Sequence, residues 1–176
     1  AHWIEAGRGI HLLDGKAFTF GPLVILGFPC LMCQGDGLFD DLPRNPDQWL
    51  PQLVRRQGPA SRTLWLMHEP PNPSPLAAST GPGSGNVKWR LAIERFMPWL
   101  VIFGHDHLTP IRRNRWNHRQ GGTLQVNVGQ PDEGPLHYAV IEMDFPDTQP
   151  CLPHKMVITA YPSRQNVQWP QPTTPA

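Results

Sequence analysis

The 176-residue sequence lacks several features that would define a class of protein at once. It has no strong charge surplus, since 15 Lys and Arg against 14 Asp and Glu give a formal net charge of +1. Bulk electrostatic binding to nucleic acid or to membrane surfaces needs a clear basic excess, so neither class is expected. There is also no apolar run near the ~20 residues that cross a bilayer, and no secretory signal pattern at the start.

Cysteine is scarce as well, with three residues: Cys30, Cys33 and Cys151. Three cysteines do not make a disulfide framework, and one C-x-x-C pair lacks the second pair that a structural zinc site needs. We therefore expect free thiols and a cytoplasmic location. The sequence begins with Ala rather than Met, so we expect a chain that was processed, truncated or taken from a longer polypeptide.

Proline is abundant, with 22 residues against an average usage of about 5%. Many prolines lie in loops or near the end of the chain, so residues 164–176 are expected to be an unstructured Pro/Gln-rich tail. The remaining residues 1–163 are long enough for one domain with a buried core. Short apolar runs separated by helical segments predict the α/β class.

A strand–helix–strand unit forms the centre of the predicted fold. Residues 63–67 and 99–103 are short, continuous apolar runs, typical of parallel strands that are covered on both faces. The segment between them contains a capped helix at about 86–96. Such a crossover makes the two strands parallel and often neighbours, so that their carboxyl ends lie on one edge of the sheet. Further strands are predicted at residues 10–13, 17–20, 23–28, 123–128, 137–143 and 155–161, and a helix at 45–57.

Three histidines follow the two central strands. His68 ends the first strand, and His105 and His107 come just after the second. Neighbouring strands are about 4.8 Å apart, and two imidazole nitrogens on one tetrahedral metal are roughly 3.4 Å apart, so a shared metal site is feasible. In an extended segment His105 and His107 would point the same way and Asp106 elsewhere. The alternative is that these are hydrogen-bonded structural histidines. We expect the remaining five to be surface or structural residues: His2, His11, His118, His137 and His154.

The residues around these histidines resemble motifs of the calcineurin-like metallophosphoesterase superfamily. Residues 65–71, W-L-M-H-E-P-P, resemble its fourth motif in the small-enzyme branch, and residues 103–107, F-G-H-D-H, match its fifth, G-H-x-H. Residues 126–129, V-N-V-G, look like the N-x-G strand end that often follows. The resemblance implies the C-terminal part of a β-sandwich flanked by helices, and a hydrolase of phosphate mono- or diesters.

The resemblance also implies a set of site residues. His68 and His105 would bind one metal and His107 the other, in a centre of two divalent transition metals (Mn, Fe, Zn or Ni). The partner would be a phosphate-ester substrate, a nucleotide being one candidate. Arg112 and Arg113 are the candidate substrate-binding residues, because Arg forks suit phosphate oxygens. The competing interpretation of this arginine-rich segment is a solvated hairpin.

The family's first three motifs, D-x-H, G-D-x-x-D and G-N-H-D/E, are absent from the sequence. Residues 35–40, G-D-G-L-F-D, have one residue too many for the second motif and are interpreted as a turn. Three neutral histidines cannot hold two divalent cations close together without a bridging carboxylate, so we expect no catalysis by this chain alone. Two alternatives remain open: a non-catalytic binding module on a degenerate phosphoesterase fold, and a single structural metal held by the three histidines.

Overall fold

The apolar runs of the sequence assemble into a mixed six-stranded sheet. The structure is a computed structural model that describes residues 13, 15–28, 30, 45–58, 62–81, 84–145 and 153–169. The strands of this sheet are β1 (Ala17–Phe20), β2 (Leu23–Phe28), β3 (Thr63–Met67), β4 (Leu100–Phe103), β5 (Asn117–Gln120) and β6 (Thr123–Val126). Their order across the sheet is β1-β2-β3-β4-β6-β5.

The four central strands of this sheet are parallel. β2 pairs with β3, β3 with β4 and β4 with β6, all in parallel, whereas β1 and β5 pair antiparallel at the two ends of the sheet. Central strands with both faces covered read as unbroken apolar segments, and β3 is almost entirely buried. The prediction of two neighbouring parallel strands around a helix is confirmed. The carboxyl ends of β3 and β4 therefore share one edge of the sheet.

Helices cover one face of the six-stranded sheet. Helix α1 (Leu50–Arg56) follows a 3₁₀ turn, Pro46–Gln48, and helix α2 (Val87–Phe96) connects β3 to β4. The side chain of Asn86 caps α2 by accepting a hydrogen bond of 2.9 Å from the backbone N–H of Lys88. A buried cluster fills this layer, formed by Leu26, Phe28, Leu50, Val54, Trp65, Met67, Leu76, Trp89, Ala92, Ile93, Val101 and Phe103.

A second sheet covers part of the opposite face. It is antiparallel, in the order β7-β8-β9, with strands β7 (Tyr138–Asp144), β8 (Lys155–Tyr161) and β9 (Gln165–Trp169). Alternate residues of β8, Met156, Ile158 and Ala160, pack with Leu100 and Leu124 of the first sheet. The chain is thus α/β, with a helical layer, a mixed six-stranded sheet and a three-stranded antiparallel sheet.

The structure contains three elements that the sequence patterns did not indicate. They are β5, the short helix α3 (Thr109–Arg112) and β9. The expectation that residues 164–176 are an unstructured tail differs from the structure over 165–169. These residues form β9, because Val167 and Trp169 pack into the layer between the sheets and the backbone pairs with β8.

Several sequence expectations fall outside the described residues. These concern His2, His11, the turn at 35–40 and the strand predicted at 10–13, apart from Leu13 itself. Cys30 is described and is disulfide-bonded, so the expectation of free thiols is wrong for this residue. The expected cytoplasmic location was inferred from free thiols, and it therefore loses this support. No helix in the described part of the chain combines the length and apolar character needed to span a bilayer.

Candidate metal-binding site

Two histidines meet at the shared edge of β3 and β4. Nε2 of His68 and Nδ1 of His105 lie 3.0 Å apart, and the ring centroids are 4.9 Å apart in an edge-to-face arrangement. The backbone N–H of Gly104 donates to the carbonyl of His68 over 3.3 Å, which ties the two strand ends together. A separation of 3.0 Å suits a hydrogen bond, and it is also close to the roughly 3.4 Å between two imidazole nitrogens on one tetrahedral metal.

The electrostatics of the pair favour a neutral His68. His68 is an exposed residue, but the partial burial of its side chain lowers its pKa. The neighbouring His105 lowers this pKa further. Glu69 acts in the opposite direction, and His107 adds to the lowering. A histidine must be neutral to bind a metal ion. The environment of His68 therefore holds this side chain in the form that metal binding requires.

The loop that carries the two later histidines, Gly104–His107, is not extended. His105 has a left-handed backbone with φ of 62°, and the N–H of Asp106 donates to the carbonyl of Gly104 over 2.7 Å. A left-handed backbone costs a residue with a side chain about 1–2 kcal/mol. The expectation that His105 and His107 lie in an extended segment is thus wrong, because the chain turns at His105.

His107 is exposed, and the described residues form no complete ligand set with it. Among the residues that the structure describes, no group of three or more His, Cys, Asp or Glu side chains is arranged to hold a metal ion. Glu69, next to His68, is fully buried, and its carboxylate accepts a hydrogen bond of 3.0 Å from the indole of Trp89. It faces the helical layer and does not complete the pair. The described residues thus bring two imidazole nitrogens within 3.0 Å of each other, without a third His, Cys, Asp or Glu placed to complete a metal site.

A network of buried polar side chains supports the histidine loop. Asp106 is 6% exposed, and its carboxylate accepts backbone hydrogen bonds from Ala78, Leu108 and Thr109 at 2.6, 3.2 and 2.8 Å. Burial alone would raise the pKa of Asp106, but the hydrogen bonds from Thr109, Ala78 and Leu108 outweigh it and lower the pKa. The amide of Asn127 donates to the carbonyls of Asp106 and Leu76 at 3.0 and 3.3 Å.

The N-x-G strand end also fixes the backbone of His107. The carbonyl of His107 accepts a hydrogen bond of 3.0 Å from the N–H of Gln130. Gly129 has φ of 68°, and a Cβ atom there would lie 2.5 Å from this carbonyl oxygen. Only glycine fits this approach without a shift of the loop. Sequence analysis found residues 126–129 as a motif, but the support they give to the histidine loop is visible only in the structure.

The arginines predicted to contact substrate lie just beyond the histidine loop, in and after α3. Arg112 is exposed at the end of this helix. Arg113 is exposed too, but its guanidinium donates to the carbonyl of Pro75 over 3.0 Å and so holds the loop that follows His68. Arg115 contacts His118, and Arg119 lies over the ring of Trp169 at 4.6 Å. Three of the four arginines in residues 112–119 thus make contacts within the protein.

The remaining described histidines lie outside the pair. His118 contacts the guanidinium of Arg115, Nδ1 of His137 lies 3.3 Å from the carbonyl of Val128, and His154 is near Asp144 at 3.8 Å. A cleft of about 250 Å³ lies between α3 and the second sheet, with His137 in its wall. None of the predicted site residues lines this cleft. It is therefore a feature separate from the histidine pair.

Comparison with known proteins gives a likeness of fold. No protein-family model and no curated protein sequence matches the chain. The crystal structure of another protein has a TM-score of 0.53 at 16% identity, over 90% of this chain and 53% of the other. The crystal structure of the Thermus thermophilus protein TT1561 has a TM-score of 0.44 at 12% identity, over 89% of this chain and 57% of the other. The chain thus spans about half of each matched structure, and at these identities the first shows the fold alone.

Proposed function

We propose that this chain is the C-terminal part of a calcineurin-like phosphoesterase domain whose intact site hydrolyses phosphate mono- or diesters with two divalent metals. The observation that carries the proposal is the approach of His68 and His105, at 3.0 Å between ring nitrogens, from the ends of two neighbouring parallel strands. The motif residues of the sequence, H-E-P-P and G-H-D-H, lie at this edge, and the N-x-G residues support the loop.

The donor set fits part of a metal centre. Imidazole nitrogens suit Mn, Fe, Zn and Ni, and the lowered pKa of His68 keeps its ring available as a ligand. His68 and His105 would hold one ion, and His107 would reach the second. Two ions side by side need a bridging carboxylate to offset their repulsion, and the described chain brings no Asp or Glu to the pair. The remaining ligands would come from another part of the polypeptide.

The chain's own residues would bind and orient the site in this scheme. When bound, paired metal ions would lower the pKa of a water molecule and neutralise charge on the phosphate oxygens. His68, His105 and His107 would hold the ions at the sheet edge, and the buried network around Asp106 would keep the loop in place. Arg112, exposed beside the loop, would contact a phosphate oxygen of the substrate.

A cobalt titration of the chain tests the proposed ligands. Co²⁺ takes the same imidazole ligands as Zn²⁺ and gives visible absorption bands that report its coordination. We expect His68→Ala and His105→Ala each to lower the Co²⁺ affinity by roughly tenfold or more. His154→Ala is the matched control, because its ring is exposed and remote from the pair. Equal affinity in all four proteins would contradict the proposal.

Hydrolysis of bis(p-nitrophenyl) phosphate with Mn²⁺ tests the reaction. We expect no turnover by the 176-residue chain alone, because its sequence lacks the D-x-H, G-D-x-x-D and G-N-H-D/E motifs that would supply the bridging carboxylate. We expect turnover by the natural polypeptide if it carries D-x-H, G-D-x-x-D and G-N-H-D/E before Ala1, and loss of turnover in its His105→Ala variant. Metal-dependent turnover by the chain alone would refute the expectation that this part of the domain is inactive by itself. A natural polypeptide without these motifs, inactive but metal-binding, would instead favour the non-catalytic module.

A further inference from the structure

The side chain between the two loop histidines is the least exposed part of the histidine loop. Asp106 is 6% exposed, whereas His107 is exposed and His105 is half-buried. A buried carboxylate is costly unless hydrogen bonds satisfy it. Three backbone N–H groups supply these bonds at 2.6–3.2 Å. A G-H-x-H sequence alone does not explain why a buried acid should occupy its third position.

The two carboxylate oxygens of Asp106 hold different segments. Oδ1 accepts from Leu108 and Thr109, which fixes the turn into α3 directly after His107. Oδ2 accepts from Ala78, 28 residues earlier, in the loop that follows His68. One side chain therefore ties the loop after β3 to the loop after β4. These two loops carry the paired histidines.

The backbone of Asp106 is held to the same earlier loop. The amide of Asn127 donates both to the carbonyl of Asp106 and to that of Leu76, two residues before Ala78. The N–H of Asp106 donates to Gly104 across the left-handed His105. Residue 106 is thus fixed at its N–H, its carbonyl and both carboxylate oxygens. This leaves little freedom for the backbone of His105.

We propose that Asp106 is a positioning residue for the His68–His105 pair. Its carboxylate fixes the loop after His68 against the histidine loop. It also holds His105 in the left-handed turn that places Nδ1 of His105 beside Nε2 of His68. The role of Asp106 in metal binding rests on the function proposed above, whereas its role in positioning the two imidazole rings does not. Each role can therefore be refuted without the other.

Asp106→Asn and Asp106→Ser separate the two roles of the carboxylate, which are capping the turn into α3 and accepting from Ala78. An Asn oxygen can still accept from Leu108 and Thr109, but its amide N–H then faces the N–H of Ala78 and cannot accept from it. Ser also caps the turn and is too short to reach Ala78. Both variants should keep α3 and lose the tie to the earlier loop. Asp132→Asn, at an exposed loop position, is the matched control.

The first readout is the metal-free protein. Long-range ¹H–¹⁵N NMR spectra report the tautomer and hydrogen bonding of each imidazole. We expect the ring signals of His68 and His105 to change in both Asp106 variants and to stay unchanged in the control, with circular dichroism showing an intact fold. Unchanged signals of the pair in both folded variants would overturn the inference. If one variant fails to fold, the other decides.

The second readout is Co²⁺ affinity and the visible spectrum of the bound ion. We expect roughly tenfold weaker binding in both Asp106 variants, as for other residues that orient metal ligands. Affinity and spectrum equal to those of the unchanged protein would overturn the role in metal binding while leaving the proposed function intact. If the unchanged protein bound no Co²⁺ through His105, the proposed function would fail, and the NMR comparison alone would decide the inference.

Discussion

Asn127→Ala should destabilise the protein by about 3 kcal/mol. The Asn127 side chain is 3% exposed and makes three hydrogen bonds, two as a donor to Leu76 and Asp106 and one as an acceptor from Gly129. Each such bond contributes about 1 kcal/mol net, and its loss leaves a buried backbone group without that partner. For a chain of this length, about 3 kcal/mol corresponds to a fall of roughly 6–12 °C in Tm.

Thermal unfolding followed by circular dichroism measures this effect. Asn127→Asp is a second variant, because a carboxylate can still accept from Gly129 but cannot donate to the two carbonyls. We expect it to lower Tm at least as much as Ala does. Asn166→Ala, at an exposed position of β9, is the control and should leave Tm nearly unchanged. A fall below about 2 °C in both Asn127 variants, less than one hydrogen bond is worth, would refute the view that this network holds the histidine loop.

Three further predictions concern the loop, the second sheet and pH. Gly129→Ala should lower stability by about 2 kcal/mol or more, because Gly129 has a positive φ and an added Cβ would lie too close to a carbonyl oxygen. Gly122→Ala, at a position with open space around it, should be nearly neutral. Urea unfolding measures the stability of both variants. Trp169→Ala should lower the free energy of unfolding by about 2 kcal/mol, because packing between the sheets is lost. Gln168→Ala, at an exposed position, should have little effect. If this segment were an unstructured tail, the two variants would not differ in stability. Burial and a nearby arginine lower the pKa of His118, so its contribution to stability is complete above about pH 6.5 and is lost as the pH falls below that value. His118→Gln should therefore flatten this part of a curve of stability against pH. An identical curve for the variant would contradict the lowered pKa of His118.

The central part of the fold follows from patterns that local sequence carries. Residues 63–67 and 99–103 are unbroken apolar runs around a capped helix, and buried parallel strands require this pattern. The structure contains both strands, in parallel and as neighbours. Parallel strands have their carboxyl ends at the same edge of the sheet, so His68 could be placed near the histidine loop without knowledge of tertiary contacts. The position of the candidate site at this edge could therefore be predicted from the sequence.

The elements that sequence patterns missed depend on contacts made elsewhere. β5, N-H-R-Q, has no apolar residue, and it forms because it pairs with β6 at the end of the sheet. β9 carries only Val167 and Trp169 as apolar residues, and their burial requires the opposite sheet. Polar strands of this kind have a weak local signal, since their stability comes from pairing and from one buried face.

The candidate site shows the same division. Sequence reasoning brought three histidines to one edge, but it assumed an extended segment where the structure has a turn at His105. It also placed Asp106 outside the site, although hydrogen bonds from a distant loop make it the buried anchor of that segment. A contact between residues 28 apart has no local signature in a single sequence. Arg113 likewise binds Pro75 for reasons that only the fold reveals.

X-ray absorption at the zinc edge of the Zn²⁺-loaded chain identifies the atoms bound to the ion, and so shows whether the histidine pair binds a metal. We expect imidazole nitrogen ligands at about 2.0–2.1 Å, with at least two rings, and loss of this imidazole scattering in His105→Ala. A shell without imidazole scattering, or one that is the same in the unchanged protein and in His105→Ala, would contradict this expectation.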